Sequence, residues 1–237
     1  MVEKNMVLNM SLYQFERFKQ LGVPVALTRN SDVTLEPNLR TTLVKNSGAK
    51  YCISNHINAA PAATAAGAEV IHSVYNDGKL AKVFAKSLTA AGQTLRPTAT
   101  YSRKNDGGSD YYFMHRNTGT VGTNIIEYGF CSNAADAARL LANWKKYAEV
   151  VVKAYCEFTG RKYTDPVDPD PVTPPAETVE GFKDIAGHWA VDLIVKAKKA
   201  GVMNGVADDR FAPDEPVTRA QLAVMLDRLG LLDKGVK

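Results

Sequence analysis

A proline-rich segment divides this 237-residue chain into two parts. Residues 163–178 hold five of the chain's eleven prolines. Because proline fixes φ and lacks a backbone donor, the segment cannot continue a helix or enter the middle of a sheet. Its composition predicts an extended spacer. We therefore expect a domain at residues 1–160, a linker at 161–180 and a small module at 181–237.

The first part alternates between helical and strand-like patterns of apolar residues. Helices are predicted near residues 7–20, 35–47, 78–91 and 134–159, the last of them in two pieces. Strands are predicted at residues 23–28, 51–54, 68–74, 110–115 and 124–127. This alternation predicts an α/β fold in which helices flank a mainly parallel or mixed sheet.

Three polar residues are candidates for a catalytic or metal-binding role. His56 follows one apolar strand and Glu127 ends another, and strand ends are where α/β folds gather ligands. Imidazole is a natural zinc ligand, and a carboxylate that closes an apolar run is costly to bury without a cation, a metal or a proton-transfer role. Glu3 lies in the first turn of the opening helix. Taken alone, His56 fits a hydrogen-bonded loop residue better, and Glu3 fits a charge favoured by the helix dipole.

Three segments together resemble zinc-dependent N-acetylmuramoyl-L-alanine amidases, the type found in phage endolysins and bacterial autolysins. The segments are residues 27–32 (LTRNSD), 54–59 (SNHINA) and 126–133 (IEYGFCSN), and the resemblance covers about residues 1–160. It implies an amidase-type mixed sheet, Zn²⁺ as cofactor and peptidoglycan as substrate. The implied reaction is hydrolysis of the amide between N-acetylmuramic acid and the L-alanine of the stem peptide.

The resemblance also implies roles for individual residues. Glu3 and His56 match zinc ligands of the family. Glu127 matches the glutamate that acts as general base and later as proton donor. Arg29 and Asp32 match a recurrent segment that we interpret as structural support for the site.

The sequence departs from the family at its start. It lacks the first strand and the Asp-Pro-Gly-His-Gly-Gly loop, whose histidine is the family's first zinc ligand. We favour a biological start further upstream. The alternatives are a truncated, weak or inactive amidase, or a substitute ligand, for which His115 is the best candidate, although a cleft-lining or packed residue is its simpler interpretation. The alternative function is a non-catalytic wall-binding protein with a zinc-deficient amidase fold.

The last part resembles a single S-layer homology repeat, a small and mainly α-helical module. Matching positions include Phe182, Asp184, the run 188–190 (HWA) and Thr218 with the TRAQ run that it begins. Helices are predicted at residues 188–200 and 218–229, with Thr218 as N-cap of the second.

That resemblance implies binding to an anionic, pyruvylated secondary cell-wall polysaccharide. The predicted binding residues are Asp184, Trp189 and Arg219. The planar guanidinium of Arg219 would bind a carboxylate through two parallel hydrogen bonds, and Trp189 would supply an apolar contact surface. The family usually carries three repeats in tandem, so a single repeat makes oligomerisation through this module possible.

The charge and hydropathy of the sequence bear on whether the chain binds nucleic acid, spans a membrane or is secreted. Residues 1–160 hold 18 Lys and Arg against 12 Asp and Glu, spread thinly, whereas a nucleic-acid site needs a dense basic face with stacking aromatics. No stretch approaches the roughly 18 apolar residues of a membrane span. The N-terminus lacks the pattern of a secretory signal. We therefore expect no nucleic-acid partner and no membrane span, with synthesis in the cytoplasm, holin-mediated release as a phage endolysin and action at the cell wall.

Overall fold

The structure, a computed structural model, describes residues 2–166, 181–185, 191–213 and 215–232. The chain divides into two compact units, residues 1–166 and 167–237. The first unit includes a segment predicted as linker, because Tyr163 donates a hydrogen bond to Glu149 and Arg17 donates one to the Thr164 carbonyl, both at 2.8 Å. The rest of the predicted linker lies outside the described residues. Among the residues described, no helix combines the length and hydrophobicity needed to cross a membrane.

Within residues 2–166, four strands form a mixed sheet. They are β1 (Tyr51–Asn58), β2 (Ala68–His72), β3 (Leu95–Tyr101) and β4 (Gly122–Phe130), in the order β1-β4-β2-β3. β4 runs parallel to β1 and antiparallel to β2, and β2 runs parallel to β3. This sheet and its flanking helices confirm the predicted α/β fold class.

Helices pack on both faces of the sheet. They are α1 (Glu3–Gln20), α2 (Pro37–Asn46), α3 (Lys79–Ala90), α4 (Phe113–Arg116) and α5 (Ala134–Phe158). α1, α3 and α5 enclose the main core against Val70 and Ile126, whereas α2 and α4 pack a smaller cluster against Ile71 and Ile125. Because successive strand residues point to opposite faces, Glu127 shares the α2–α4 face with Ile125.

Three predictions of local structure were wrong, and one strand was missed. Residues 23–28 form no strand, since Val23 and Val25 pack beside α1 and α5 without strand pairing. Residues 110–115 form no strand: Asp110 makes only an isolated bridge with Lys104, its carboxylate accepts hydrogen bonds from the Ser73 hydroxyl and the Val74 amide, and residues 113–115 belong to α4. α5 is one helix rather than two pieces, and its sequence holds no glycine or proline to break it. β3 was not predicted.

In the second unit, the described residues form two helices, α6 (Val191–Lys199) and α7 (Arg219–Arg228). Residues 186–190, where the first of these was predicted to begin, lie outside the described residues. Phe182, Ile185, Ile194 and Phe211 form a small core. Gly205 has φ +82°, and a Cβ there would lie 2.4 Å from the Phe182 ring, so the close approach requires glycine.

The N-terminus of α7 confirms the predicted cap. Thr218 accepts a hydrogen bond from the Gln221 amide, and the Gln221 side chain binds the Thr218 amide in return. This capping box satisfies two backbone donors that the helix itself leaves unpaired.

Candidate active site

His56 and Glu127 lie side by side because β1 and β4 pair in parallel. The register aligns His56 with Glu127, and β2 aligns Glu69 with Glu127 from the other side. Aligned residues of neighbouring strands project to the same face of a sheet. Three ionisable side chains from three strands therefore form a transverse row on the α2–α4 face.

The first turn of α1 brings Glu3 to this row. Glu3 Oε1 lies 3.0 Å from His56 Nδ1 and accepts a hydrogen bond from the Ile57 amide at 3.2 Å. The bond to His56 is the main reason that the pKa of Glu3 falls below its ordinary value. Burial lowers the pKa of His56, but the hydrogen bond to Glu3 and the charges of Glu127 and Glu3 outweigh it, so that pKa is raised. Glu3 and His56 thus form a contacting pair.

Arg29 and Asp32 hold the turn that carries Glu3. Arg29 Nη2 donates to the Lys4 carbonyl at 2.9 Å and Nη1 donates to the Ser31 carbonyl at 3.1 Å. Asp32 forms an ion pair with the Lys4 ammonium. These contacts lie one residue from Glu3, so the segment supports the start of α1 rather than entering the chemistry itself.

Glu127 is a buried carboxyl with one oxygen that the protein does not satisfy. Its Oε2 is inaccessible and has no hydrogen-bond partner among the described residues. Burial is the chief cause that raises its pKa to about 7; the His56 charge opposes the rise, and the Glu3 and Glu69 charges add to it. A carboxyl with a pKa near neutrality can both accept and return a proton at physiological pH.

This raised pKa predicts a pH-dependent cost in stability. The folded-state pKa of about 7 lies above the ordinary value of 4.5, so the folded state favours the protonated form. The contribution of protonated Glu127 to the free energy of unfolding is fully present below pH 4.5 and is lost as pH rises through 7. Glu127→Gln should therefore unfold like wild type at pH 4 and be more stable at pH 8 by roughly 2–3 kcal/mol. Urea denaturation of the full chain at both values measures this.

Glu16→Gln is the matched control, because Glu16 is exposed on α1 and pairs only with Lys19 among the described residues. It should change the free energy of unfolding little at either pH. An equal change at pH 4 and pH 8 in Glu127→Gln would contradict the raised pKa.

The described donors do not complete a zinc site. Catalytic zinc sites use three protein ligands and leave one position open. Glu3 and His56 supply an oxygen and a nitrogen of suitable kind, 3.0 Å apart. Across the described ranges, however, no group of three His, Cys, Asp or Glu residues is arranged to hold a metal ion. The pair is therefore one protein ligand short of the catalytic arrangement.

His115 does not join this pair. It is buried in α4, with its ring centre 5.8 Å from that of Tyr112, and burial lowers its pKa. Its Nε2 has no partner in the described part of the chain. Since no metal-holding group of three includes it, the structure does not support His115 as the substitute ligand.

Sequence reasoning missed a polar cluster beside Glu127. Glu69 Oε2 lies 2.9 Å from Arg96 Nε, and Glu69 Oε1 accepts from Asn58 Nδ2 at 3.2 Å and from Tyr101 Oη at 3.3 Å. Arg96 and Tyr101 lie on the unpredicted strand β3. Glu69 itself could have indicated this cluster. It is a carboxylate inside an apolar run and, like Glu127, is costly to bury without a partner.

The predicted polysaccharide-binding residues of the second unit have different surroundings. Both carboxylate oxygens of Asp184 accept backbone hydrogen bonds, from Phe211 at 2.9 Å and from Ala212 at 2.7 Å. These bonds hold a loop in which Ala212 has φ +59°. Arg219 is exposed on the first turn of α7. Trp189 lies outside the described residues. Asp184 is thus engaged in loop structure, whereas Arg219 is exposed.

Family models match both parts of the chain. The N-acetylmuramoyl-L-alanine amidase model matches residues 1–158, and the S-layer homology domain model matches residues 181–223. A germination-specific N-acetylmuramoyl-L-alanine amidase of Bacillus subtilis (strain 168) is 25% identical over 185 residues, which covers 71% of this chain and 74% of that protein.

Solved structures share the fold. The catalytic domain of CwlV, an N-acetylmuramoyl-L-alanine amidase from Bacillus (Paenibacillus) polymyxa var. colistinus, has a TM-score of 0.59 and 26% identity over 68% of this chain and 86% of that one. Cwp6 from Clostridium difficile has a TM-score of 0.60 and 23% identity over 65% of this chain. This chain covers 25% of the length of Cwp6.

Proposed function

The chain belongs to the N-acetylmuramoyl-L-alanine amidase family, and we propose that it hydrolyses the amide between N-acetylmuramic acid and the L-alanine of the peptidoglycan stem. The catalytic domain would be residues 1–160, joined by the linker at 161–180 to a wall-binding module at 181–237. The observation that carries the proposal is the buried, unpartnered oxygen of Glu127 beside the Glu3–His56 pair.

Glu127 can serve both proton transfers of the reaction. As the ionised carboxylate, Glu127 accepts a proton from a water molecule while the water oxygen bonds to the amide carbon. When the carbon–nitrogen bond breaks, Glu127 returns that proton to the alanine nitrogen, which leaves as an amine. A pKa of about 7 suits both directions. Its enclosure strengthens its electrostatic effect on the reacting atoms.

Zinc dependence is the finer part of the proposal. It is supported by the family and by the chemistry of the Glu3 and His56 donors, which are of the kinds zinc takes. The third ligand is not among the described residues. The metal content of the dialysed full chain tests it. About one zinc per chain, lowered in His56→Ala, would support zinc binding, whereas a zinc-free chain after incubation with the metal would contradict it.

The same shortage of ligands favours a second candidate function. A chain that keeps the fold but cannot complete a metal site would act as a non-catalytic wall-binding protein. It would sediment with peptidoglycan without cutting it. Cleavage of any stem amide that depends on Glu127 would exclude this candidate.

We propose that the second unit binds an anionic, pyruvylated wall polysaccharide through Arg219. A guanidinium binds a carboxylate with two parallel hydrogen bonds, and Arg219 is exposed. Arg219→Ala should reduce the fraction of the full chain that sediments with purified walls, by about tenfold in affinity, because one charge-assisted contact is lost.

Lys199→Ala is the control for that experiment, since Lys199 is an exposed cation of the same unit at the end of α6. It should sediment like wild type. If Arg219→Ala also sediments like wild type, or if walls stripped of pyruvate bind equally well, the assignment fails.

Oligomerisation through this module is also proposed. None of the residues of α7 is buried, and Leu222, Val224 and Leu229 are 50%, 47% and 54% exposed. A second copy of the module would cover this apolar surface. Sedimentation velocity of the full chain should show a concentration-dependent oligomer that Leu222→Lys disrupts, and a wild-type monomer at all concentrations would contradict it. The endolysin origin and holin-mediated release remain predictions.

A further inference from the structure

We propose that the groove beside Glu127, lined by residues of all four strands, receives the peptide stem, and that Arg96 binds a free carboxylate on the residue that follows the alanine. The inference rests on the proposed amidase function and adds a specificity to it. It assigns to Arg96 the discrimination between peptide stems that carry a carboxylate and stems in which that group is an amide.

The groove adjoins the row of side chains that contains Glu127. It has a volume of about 480 Å³ and is lined by Asn58, Glu69, Arg96 and Phe130, among others. Glu69 is the register partner of Glu127, and Asn58 lies two residues beyond His56 on β1. A substrate whose scissile amide lies at Glu127 would therefore extend into this groove on one side.

The guanidinium of Arg96 is fixed from two directions. Its Nε lies 2.9 Å from Glu69 Oε2, and its carbon lies 5.0 Å from the centre of the Phe130 ring. Glu69 is only 6% exposed, and Asn58 and Tyr101 both donate to its other oxygen. This support holds the guanidinium in one orientation, so little rotamer freedom remains to be lost when a ligand binds.

The outer edge of Arg96 is free to bind a ligand. Its side chain is 35% exposed, and no described protein atom accepts a hydrogen bond from its Nη1 or Nη2. A guanidinium edge of this kind matches a carboxylate with two parallel hydrogen bonds. The ion pair with Glu69 already neutralises part of its charge, so recognition depends on this geometry more than on net charge.

The walls of the groove select the peptide rather than the sugar side of the substrate. Ala59, Ala60 and Ala65 line it with methyl groups, and Phe130 adds an apolar surface. Such walls suit a small side chain, whereas a sugar ring needs many hydrogen-bond partners. A peptide stem that begins with alanine and continues with a residue that carries a free carboxylate matches both the apolar walls and the guanidinium of Arg96.

Binding of two probes tests the inference without turnover. The full chain carrying Glu127→Gln is titrated by calorimetry with N-acetylmuramoyl-L-alanyl-D-glutamate and with its isoglutamine form, in which the α-carboxylate is an amide; the γ-carboxyl is capped as an amide in both probes, so they differ only in the α-carboxylate. We expect the carboxylate probe to bind about tenfold more tightly, because a charge-assisted bidentate contact is replaced by a neutral one.

Variants at Arg96 and Glu69 test which side chain causes the preference for the carboxylate probe. Arg96→Gln should bind both probes with equal affinity. Arg96→Gln alone leaves Glu69 buried without its cation. The double variant Glu69→Gln/Arg96→Gln removes both charges together and should also lose the preference for the carboxylate probe. Glu69→Gln alone should keep that preference. Arg103→Gln is the matched control, since Arg103 stacks on Tyr111 with its carbon 3.7 Å from the ring centre and does not line the groove.

The outcomes separate this inference from the proposed function. Equal binding of both probes to the chain with intact Arg96, or a preference that survives Arg96→Gln and the double variant, would overturn the inference even if wild type cleaves the amide. A preference that depends on Arg96 would support the subsite, and absence of cleavage by wild type would then count against the amidase function alone.

Discussion

Glu127→Gln is expected to abolish amide hydrolysis while leaving the fold and wall binding intact. Glutamine has nearly the same size but cannot accept a proton from water, and loss of a general base lowers rates by about 10²–10⁴-fold. The substitution also removes a buried carboxyl whose burial raises its pKa to about 7. The folded state should therefore be retained. Cleavage rates on purified peptidoglycan, beside far-ultraviolet circular dichroism, measure both effects.

Glu16→Gln serves again as the control and should cleave like wild type. Residual activity in Glu127→Gln within a few-fold of wild type would remove Glu127 from the chemistry.

The largest effect on stability is expected at Arg17. It is 5% exposed and binds Glu149 Oε2 through Nε at 2.9 Å and Glu149 Oε1 through Nη2 at 3.0 Å. This pair joins α1, which carries Glu3, to α5. Arg17→Met leaves the Glu149 charge buried without its cation and should lower the free energy of unfolding by about 3–5 kcal/mol. Urea denaturation of the full chain at pH 7 measures the change.

Two further variants separate the lost pair from lost packing. Arg17→Met/Glu149→Met removes both charges and should be less destabilising than Arg17→Met alone. Lys19→Met breaks an exposed pair with Glu16 and should change the free energy of unfolding by less than about 1 kcal/mol. If Arg17→Met behaved like Lys19→Met, the Arg17–Glu149 pair would not hold α1 against α5.

The parts of the site that sequence reasoning identified are those whose chemistry conflicts with their surroundings. Glu127 is a carboxyl in an apolar run, and His56 follows the predicted strand at 51–54, so both residues can be identified from the sequence, although β1 extends past His56 to Asn58. The alignment of these two residues depends on parallel pairing between strands more than sixty residues apart. No local pattern specifies that pairing, and only the resemblance to a family connected the two motifs.

β3 shows why the remainder of the site was missed. Leu95–Tyr101 contains Pro97, which removes a backbone donor and weakens the strand pattern. The structure accommodates it at the edge of the sheet, where one side of the strand needs no partner strand. Without β3, Arg96 and Tyr101 could not be placed beside Glu69. Val23 and Val25 illustrate the opposite error, since their alternation reflects packing on helices rather than pairing with a strand.

Appearance of new amino-terminal L-alanine in purified peptidoglycan tests the amidase function most directly. The full 237-residue chain is incubated with peptidoglycan and zinc, and the products are analysed for free amino groups and for reducing sugar ends. New L-alanine amino termini should appear without new reducing ends, and none should appear with Glu127→Gln. No new termini, new reducing ends instead, or equal release by Glu127→Gln would contradict the amidase function.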